Sequence, residues 1–202
     1  MTEVLVPAAR LVRWVDNFVR RHGEATLGVA DGALAGRAAD GSTFSARLPF
    51  DAGYHGAADV AAFAATARAP DSWGVLLVRK GGFAVARLAG VELQEHKIGQ
   101  RHVQGRTKAG GQSQQRFARR RDNQARQAYE AATEHAARVL GQRLTALVTG
   151  GDHVAVDAVL SDPRLARFPV VAPWLAVPDP RRRVLEQAVA DACSVRMSVT
   201  NR

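Results

Sequence analysis

The residues of this chain best suited to chemistry form one short run, Gly110-Gly111-Gln112-Ser113. Two adjacent glycines let a backbone adopt positive φ and approach a ligand with no Cβ in the way. Gln112 then supplies an amide with one acceptor oxygen, two donor hydrogens and no titratable proton. Such a group holds a water and stabilises developing charge, but it cannot act as a general base. A flexible turn also accounts for a bare Gly-Gly-Gln, so the weight of the motif rests on its surroundings. Other catalytic patterns are missing from the sequence: there is no Gly-x-Ser-x-Gly elbow, P-loop, His-Glu-x-x-His or Gly-x-Gly-x-x-Gly after a strand. The six histidines (His22, His55, His96, His102, His135, His153) are scattered and read as surface residues, so no metal or cofactor is expected. Cys193 is the single cysteine, which excludes an intramolecular disulfide and a cysteine metal cluster and leaves it as a small apolar residue.

The run lies inside a concentrated positive field. Of the formal net charge of +9, +8 falls between Lys97 and Arg126, where nine basic residues face one acid, Asp122. A field so focused suits a polyanion, because neutralised phosphates release counterions and guanidinium forks bind phosphate bidentately. A solvated basic face is the plain alternative. Arginine outnumbers lysine 25 to 3, which a GC-rich coding bias accounts for as readily as selection for guanidinium chemistry.

Three residues after the motif begins the strongest helical pattern in the chain, from Arg116 to about Gly141. At 100° per residue, Phe117, Ala125, Ala128, Tyr129, Ala132, Ala136, Val139 and Leu140 share one side. Arg116, Arg119, Arg120, Asn123 and Arg126 share the other, while Arg121 falls on the apolar side and is not explained. Arginine in a first helical turn opposes the helix dipole, and that local cost favours a functional role for the basic face.

The remaining elements must hold this helix. Ala8–Arg21 has a helical period ended by His22-Gly23, and Ala25–Ala30 and Phe44–Leu48 read as two strands joined by a Gly- and Asp-rich hairpin. Ala57–Ala69 is a modest helix stopped by Pro70. Trp73–Arg79, Phe83–Ala89 and Val91–Ile98 read as a meander, followed by a polar loop over Gly99–Gln115. Leu144–Val148 is a strand, Asp152 caps a helix through Leu160, Phe168–Val177 is a strand, and Arg181–Ala192 is a last helix behind Pro180. No internal repeat is visible. The pattern predicts an α/β (α+β) fold: a mixed sheet flanked by helices over 71–202, with a small helix-hairpin-helix extension over 1–70. Hydrophobic residues at 47% and charged residues at 23% fit a folded chain, and no apolar run reaches the roughly 18 residues that span a bilayer. A soluble, cytoplasmic protein with no membrane partner is expected.

Gly110-Gly111-Gln112-Ser113, two residues, then Arg116-Phe117-Ala118-Arg119-x-Arg121 resembles the central domain of eukaryotic and archaeal class-one peptide-chain release factors. The likeness takes in the preceding meander and the strand–Gly–helix that follows, about Trp73 to Ala192. It is similar above all to stand-alone, release-factor-like peptidyl-tRNA hydrolases of ribosome rescue and quality control. The resemblance implies a ribonuclease-H-like mixed sheet whose loop enters the peptidyl transferase centre of the large ribosomal subunit. It implies that Gly110 and Gly111 match the family glycines, and that Gln112 organises attack of water on the peptidyl-tRNA ester. Some rescue relatives place the glutamine differently, which keeps Gln114 and Gln115 as secondary candidates. Arg106, Lys108, Arg116, Arg119, Arg120 and Arg126 are then the residues that meet ribosomal RNA or transfer RNA. At 202 residues the chain is too short to add both a codon-recognition domain and a GTPase-recruiting domain. Two rivals follow from the residues alone. One is a non-catalytic ribosome- or RNA-binding protein that uses only the arginine helix; the other, a two-metal nuclease on the same scaffold, lacks the needed carboxylates.

Overall fold

In a computed structural model, residues 1–100, 111–141 and 143–202 are described, with the backbone alone for 111–125. The chain runs β1 (Thr2–Val6), α1 (Leu11–His22), β2 (Ala25–Ala30), β3 (Ala33–Ala38), β4 (Thr43–Arg47), α2 (Val60–Thr66), β5 (Trp73–Arg79), β6 (Gly82–Ala89) and β7 (Glu92–Gln100). It continues through α3 (Gly111–Leu140), β8 (Ala146–Gly151), α4 (His153–Leu160), α5 (Pro163–Ala166), β9 (Val170–Leu175), α6 (Arg182–Ala192) and β10 (Val195–Thr200). These elements form two units with separate cores, the mixed α/β architecture expected. One unit is 1–69, 171–173 and 189–202; the other is 70–170 and 174–188.

The first unit is an antiparallel sheet in the order β1-β10-β4-β3-β2. Leu11, Val15 and Phe18 recur at helical spacing in α1 and are buried against Leu34, Phe44, Ala46 and Met197 of the sheet. Gly23 ends α1 at φ +87°, a conformation that side chains resist, and its N–H donates to the Val19 carbonyl at 2.8 Å. Asp59 caps α2 by accepting from the Ala62 N–H at 2.7 Å. Two features differ from the sequence expectation. The span between the two anticipated strands holds a third, β3, because Asp31-Gly32 makes a tight turn of its own and Ala33–Ala38 pairs on both sides. The C-terminal residues, expected to continue the 71–202 domain, return to this sheet. There β10 is hydrogen-bonded to β1 on one edge and β4 on the other, and Val195 and Met197 are buried in its core.

The second unit has the order β7-β6-β5-β8-β9, with β7, β6 and β5 antiparallel and β8 parallel to β5. This is the mixed sheet anticipated above, with β5–β8 as a parallel pair. Residues 73–78 are all buried, so β5 is covered on both faces and its sequence is a nearly continuous apolar run. One face of the sheet, with Leu76, Val78, Phe83 and Val85, meets α3, α4 and α5. Asp152 caps α4 as predicted, accepting from the Val154 N–H at 3.1 Å.

Candidate nucleic-acid interface and catalytic segment

The long helix α3 carries most of the candidate residues, and its C-terminal half is firmly seated. Ala128, Ala132, Ala136, Val139 and Leu140 are buried against the sheet, as their period predicted. The three alanines keep that face of the helix flat, so its backbone lies close to the strands. Arg87 of β6 donates to the Val139 carbonyl at 3.1 Å. Arg164 of α5 grips Glu134 through two bonds, of 2.6 and 3.2 Å, and holds Asp162 at 2.9 Å. Hydrogen bonding to this guanidinium lowers the pKa of both carboxylates below the usual range. His135 stacks on Phe83 with ring centroids 5.5 Å apart. Its pKa is lowered by burial first, and then by Lys97 and Arg138.

The helix begins earlier than anticipated. Gln112 to Gln115 were expected in a loop, yet α3 starts at Gly111, because glutamine, serine and arginine continue a helix without penalty from proline or β-branching. This has a geometric consequence. On a helix from Gly111, position 112 lies within about 80° of positions 115, 116, 119, 120 and 126, and about 160–200° from buried positions 128, 132 and 139. Position 114 falls on the far side of the helix from 112. Along the axis, 112 is about 24 Å from 128 at 1.5 Å per residue. Arg126 is exposed, and its only ion pair among the described residues is a loose one, 3.9 Å to Glu130. Gly110, Arg106 and Lys108 lie outside the described residues, as do the side chains of Gln112, Gln114, Gln115, Arg116, Arg119 and Arg120.

Two further histidines have structural partners. His22 Nδ1 sits 2.8 Å from Asp40, and His153 stacks on Trp174 at 3.6 Å. Burial pushes the Cys193 thiol up to about 11, which suppresses the thiolate a nucleophile needs. Among the described residues no group of three or more His, Cys, Asp or Glu is placed to hold a metal, and no helix is long and apolar enough to cross a membrane. Three consecutive arginines, Arg181, Arg182 and Arg183, stand at the start of α6, a charge signal legible in the sequence apart from the helix they open.

Residues 71–198 match the family described as Actinobacteria/chloroflexi VLRF1 release factor. Among solved structures the chain is similar to the archaeal translation termination factor aRF1, at 12% identity with a TM-score of 0.45, covering 94% of this chain and 63% of that one. It is also similar to Pelota of Archaeoglobus fulgidus, at 11% identity with a TM-score of 0.28, covering 94% of this chain and 62% of that one. The chain thus spans just under two thirds of the length of the factors it matches. No match is found among curated proteins. The family match covers well over half of the sequence, including the Gly-Gly-Gln-Ser run and the whole of α3, and the chain belongs to the Actinobacteria/chloroflexi VLRF1 release factor family.

Proposed function

We propose that this release-factor family member is a peptidyl-tRNA hydrolase that frees nascent peptide from stalled ribosomal complexes. The observation that carries the reading is the place of Gln112 in the chain: inside the family match, directly after two glycines, and in the first turn of α3. The bond to be broken is an ester to the 3′ ribose oxygen, already activated and normally shielded from water. Gln112 orients one water toward the ester carbonyl, and its amide hydrogens face the oxyanion that develops. The water oxygen bonds to the carbonyl carbon, the carbon–oxygen bond to the ribose breaks, and the proton passes through RNA hydroxyls to the departing 3′ oxygen. No titrating side chain is required, in keeping with a Gly-Gly-Gln segment that offers none. Gly110 and Gly111 let the backbone approach RNA closely. Arg106, Lys108, Arg116, Arg119, Arg120 and Arg126 dock on ribosomal RNA and the peptidyl-tRNA within the large subunit.

The test is peptide release from ribosome-bound peptidyl-tRNA by the purified protein. Gln112→Ala abolishes most release while ribosome affinity changes by less than about threefold, roughly 0.7 kcal/mol. Wild-type release by Gln112→Ala together with loss in Gln114→Ala transfers the role to Gln114. Tight ribosome binding by a wild-type protein that releases nothing leaves only an RNA-binding factor.

A further inference from the structure

A second cationic surface lies in the same unit, between the β5–β6 turn and the start of α6. Arg79, the last residue of β5, reaches across to the segment that leads into α6. Its Nη1 donates to the Val177 carbonyl at 2.8 Å, and its Nε is 3.6 Å from Asp179. The neighbouring Lys80-Gly81 turn is so close to the same carboxylate that a Cβ added at Gly81 would sit 3.3 Å from Asp179 Oδ2. Lys80 therefore shares a surface with Arg181, which is two residues beyond Asp179, and with Arg182 and Arg183 at the start of α6. Arg182 turns sideways, 2.7 Å from Glu186 and 3.2 Å from His96. His96 pairs with Ala86, one residue along from the Val85–Lys97 pair whose Val85 lies in the α3 core, so it stands on the sheet face opposite α3. Asp179 and Glu186 are thus occupied by Arg79 and Arg182. Lys80, Arg181 and Arg183 are exposed and have no carboxylate partner among the described residues.

The location matters as much as the charge. The Lys80-Gly81 turn leads into Gly82, which pairs with Gln100, the last residue of β7 before the chain departs toward Gly110-Gly111-Gln112. Gly82 lies so close to β7 that a Cβ there would collide with the Gly99 carbonyl oxygen, which fixes the turn to the end of β7 that leads to Gly110-Gly111-Gln112. We propose that the β5–β6 turn and the start of α6 form a second RNA-binding surface, taking the phosphate backbone of the double-helical arm of peptidyl-tRNA. Lys80, Arg181 and Arg183 are its contacts, and Arg79 holds the two segments together. Nucleic acid carrying the ester to Gln112 is offered these cations beside the strand end that leads to Gly110-Gly111-Gln112. Unneutralised cations there draw its phosphates whatever the sequence. The choice of ligand rests on the peptidyl-tRNA reading, whereas the electrostatic surface does not.

Binding of deacylated tRNA to the full-length protein across a salt series tests this. Combined Lys80→Glu, Arg181→Glu and Arg183→Glu weakens binding at least tenfold and lowers the log–log salt slope by about 2–3, near 0.9 per lost phosphate contact. Arg181→Lys with Arg183→Lys keeps most of the slope, because charge rather than fork geometry is being read. A thermal melt accompanies each variant, and the corresponding glutamine variants replace any that fail to fold. An unchanged tRNA affinity and slope overturns the proposal, as does an effect seen on isolated large subunits alone, which assigns the surface to ribosomal RNA. Peptide release by the wild-type protein is scored separately from tRNA binding, so a failure of the hydrolase reading remains separable from a failure of this one.

Discussion

The first unit closes its core with aromatic rings on an antiparallel sheet, whereas the second seats a long helix on a mixed sheet through alanines. In the first, Trp14 stacks on Phe18 at 5.9 Å, and both rings meet Phe44 edge-on at 5.7 and 5.1 Å. In the second, Ala128, Ala132 and Ala136 let α3 lie close along β6. Charge divides as sharply. Nine arginines of the first unit are nearly matched by eight carboxylates, so almost all of the +9 belongs to the second. Arginine is frequent in both units, and a coding bias explains that frequency. It does not explain why acids keep pace with basic residues in one unit, whereas the other sets nineteen basic residues against eleven acids. The imbalance singles out the unit that carries Gly111 and Gln112.

Separate cores imply separable damage, and the largest expected effect tests that. Phe44→Ala removes the ring on which Trp14 and Phe18 converge and costs about 3–5 kcal/mol. Amide hydrogen exchange then shows protection falling in β3 and β4 and persisting in β5 and β6. Equal loss in both sets would make the two cores one cooperative block. On the other side of the comparison, Ala132→Leu overfills the fully buried α3–sheet contact and costs about 1–3 kcal/mol by denaturant titration. A cost below about 0.5 kcal/mol would mean that α3 is free to lift and that its alanines do not set its seat.

Two glycines of the first sheet sharpen the picture on a finer scale. A Cβ at Gly36 would meet the Phe44 ring, so Gly36→Ala costs about 1–2 kcal/mol; at Gly28 nothing lies within 4 Å, and Gly28→Ala is neutral or stabilises by up to about 1 kcal/mol. Thermal melts of the two variants check the contrast, and equal shifts would contradict it. The smallest effect concerns the Arg164 clamp. Glu134 and Asp162 have folded pKa values depressed below their unfolded ones, so their contribution is present above the unfolded carboxylate range and is lost as pH falls through the folded values. The melting temperatures of wild type and Arg164→Ala therefore differ slightly at pH 7 and converge in acid, below about pH 4. A gap that widens in acid reverses the assignment.

Much of the second unit was legible because its signals are local. The seat of α3 was readable from a 3.6-residue period, and the capping role of Asp152 from its place after Gly150-Gly151. The start of α3 is not legible, because two glycines resemble a loop while the residues after them have ordinary helix propensity. In the first unit, β1 and β10 went unread. Each is a short segment at a chain end, and its strand character comes from a partner nearly two hundred residues away, as in the pairing of Thr2 with Val199.

By itself the sequence determined the strands and helices of the second unit, the amphipathic face of α3, the focused charge and the Gly-Gly-Gln-Ser run that ties the chain to release factors. These follow from periodicity and residue chemistry within windows of about thirty residues or fewer. Only the tertiary structure decided that the C-terminus completes the N-terminal sheet, and that Lys80 shares a surface with Arg181 and Arg183 across a hundred residues of chain. Strand pairing and clustered side-chain charge are non-local, set by which backbone edges and loops meet once the cores close, and neither leaves a periodic trace in the chain.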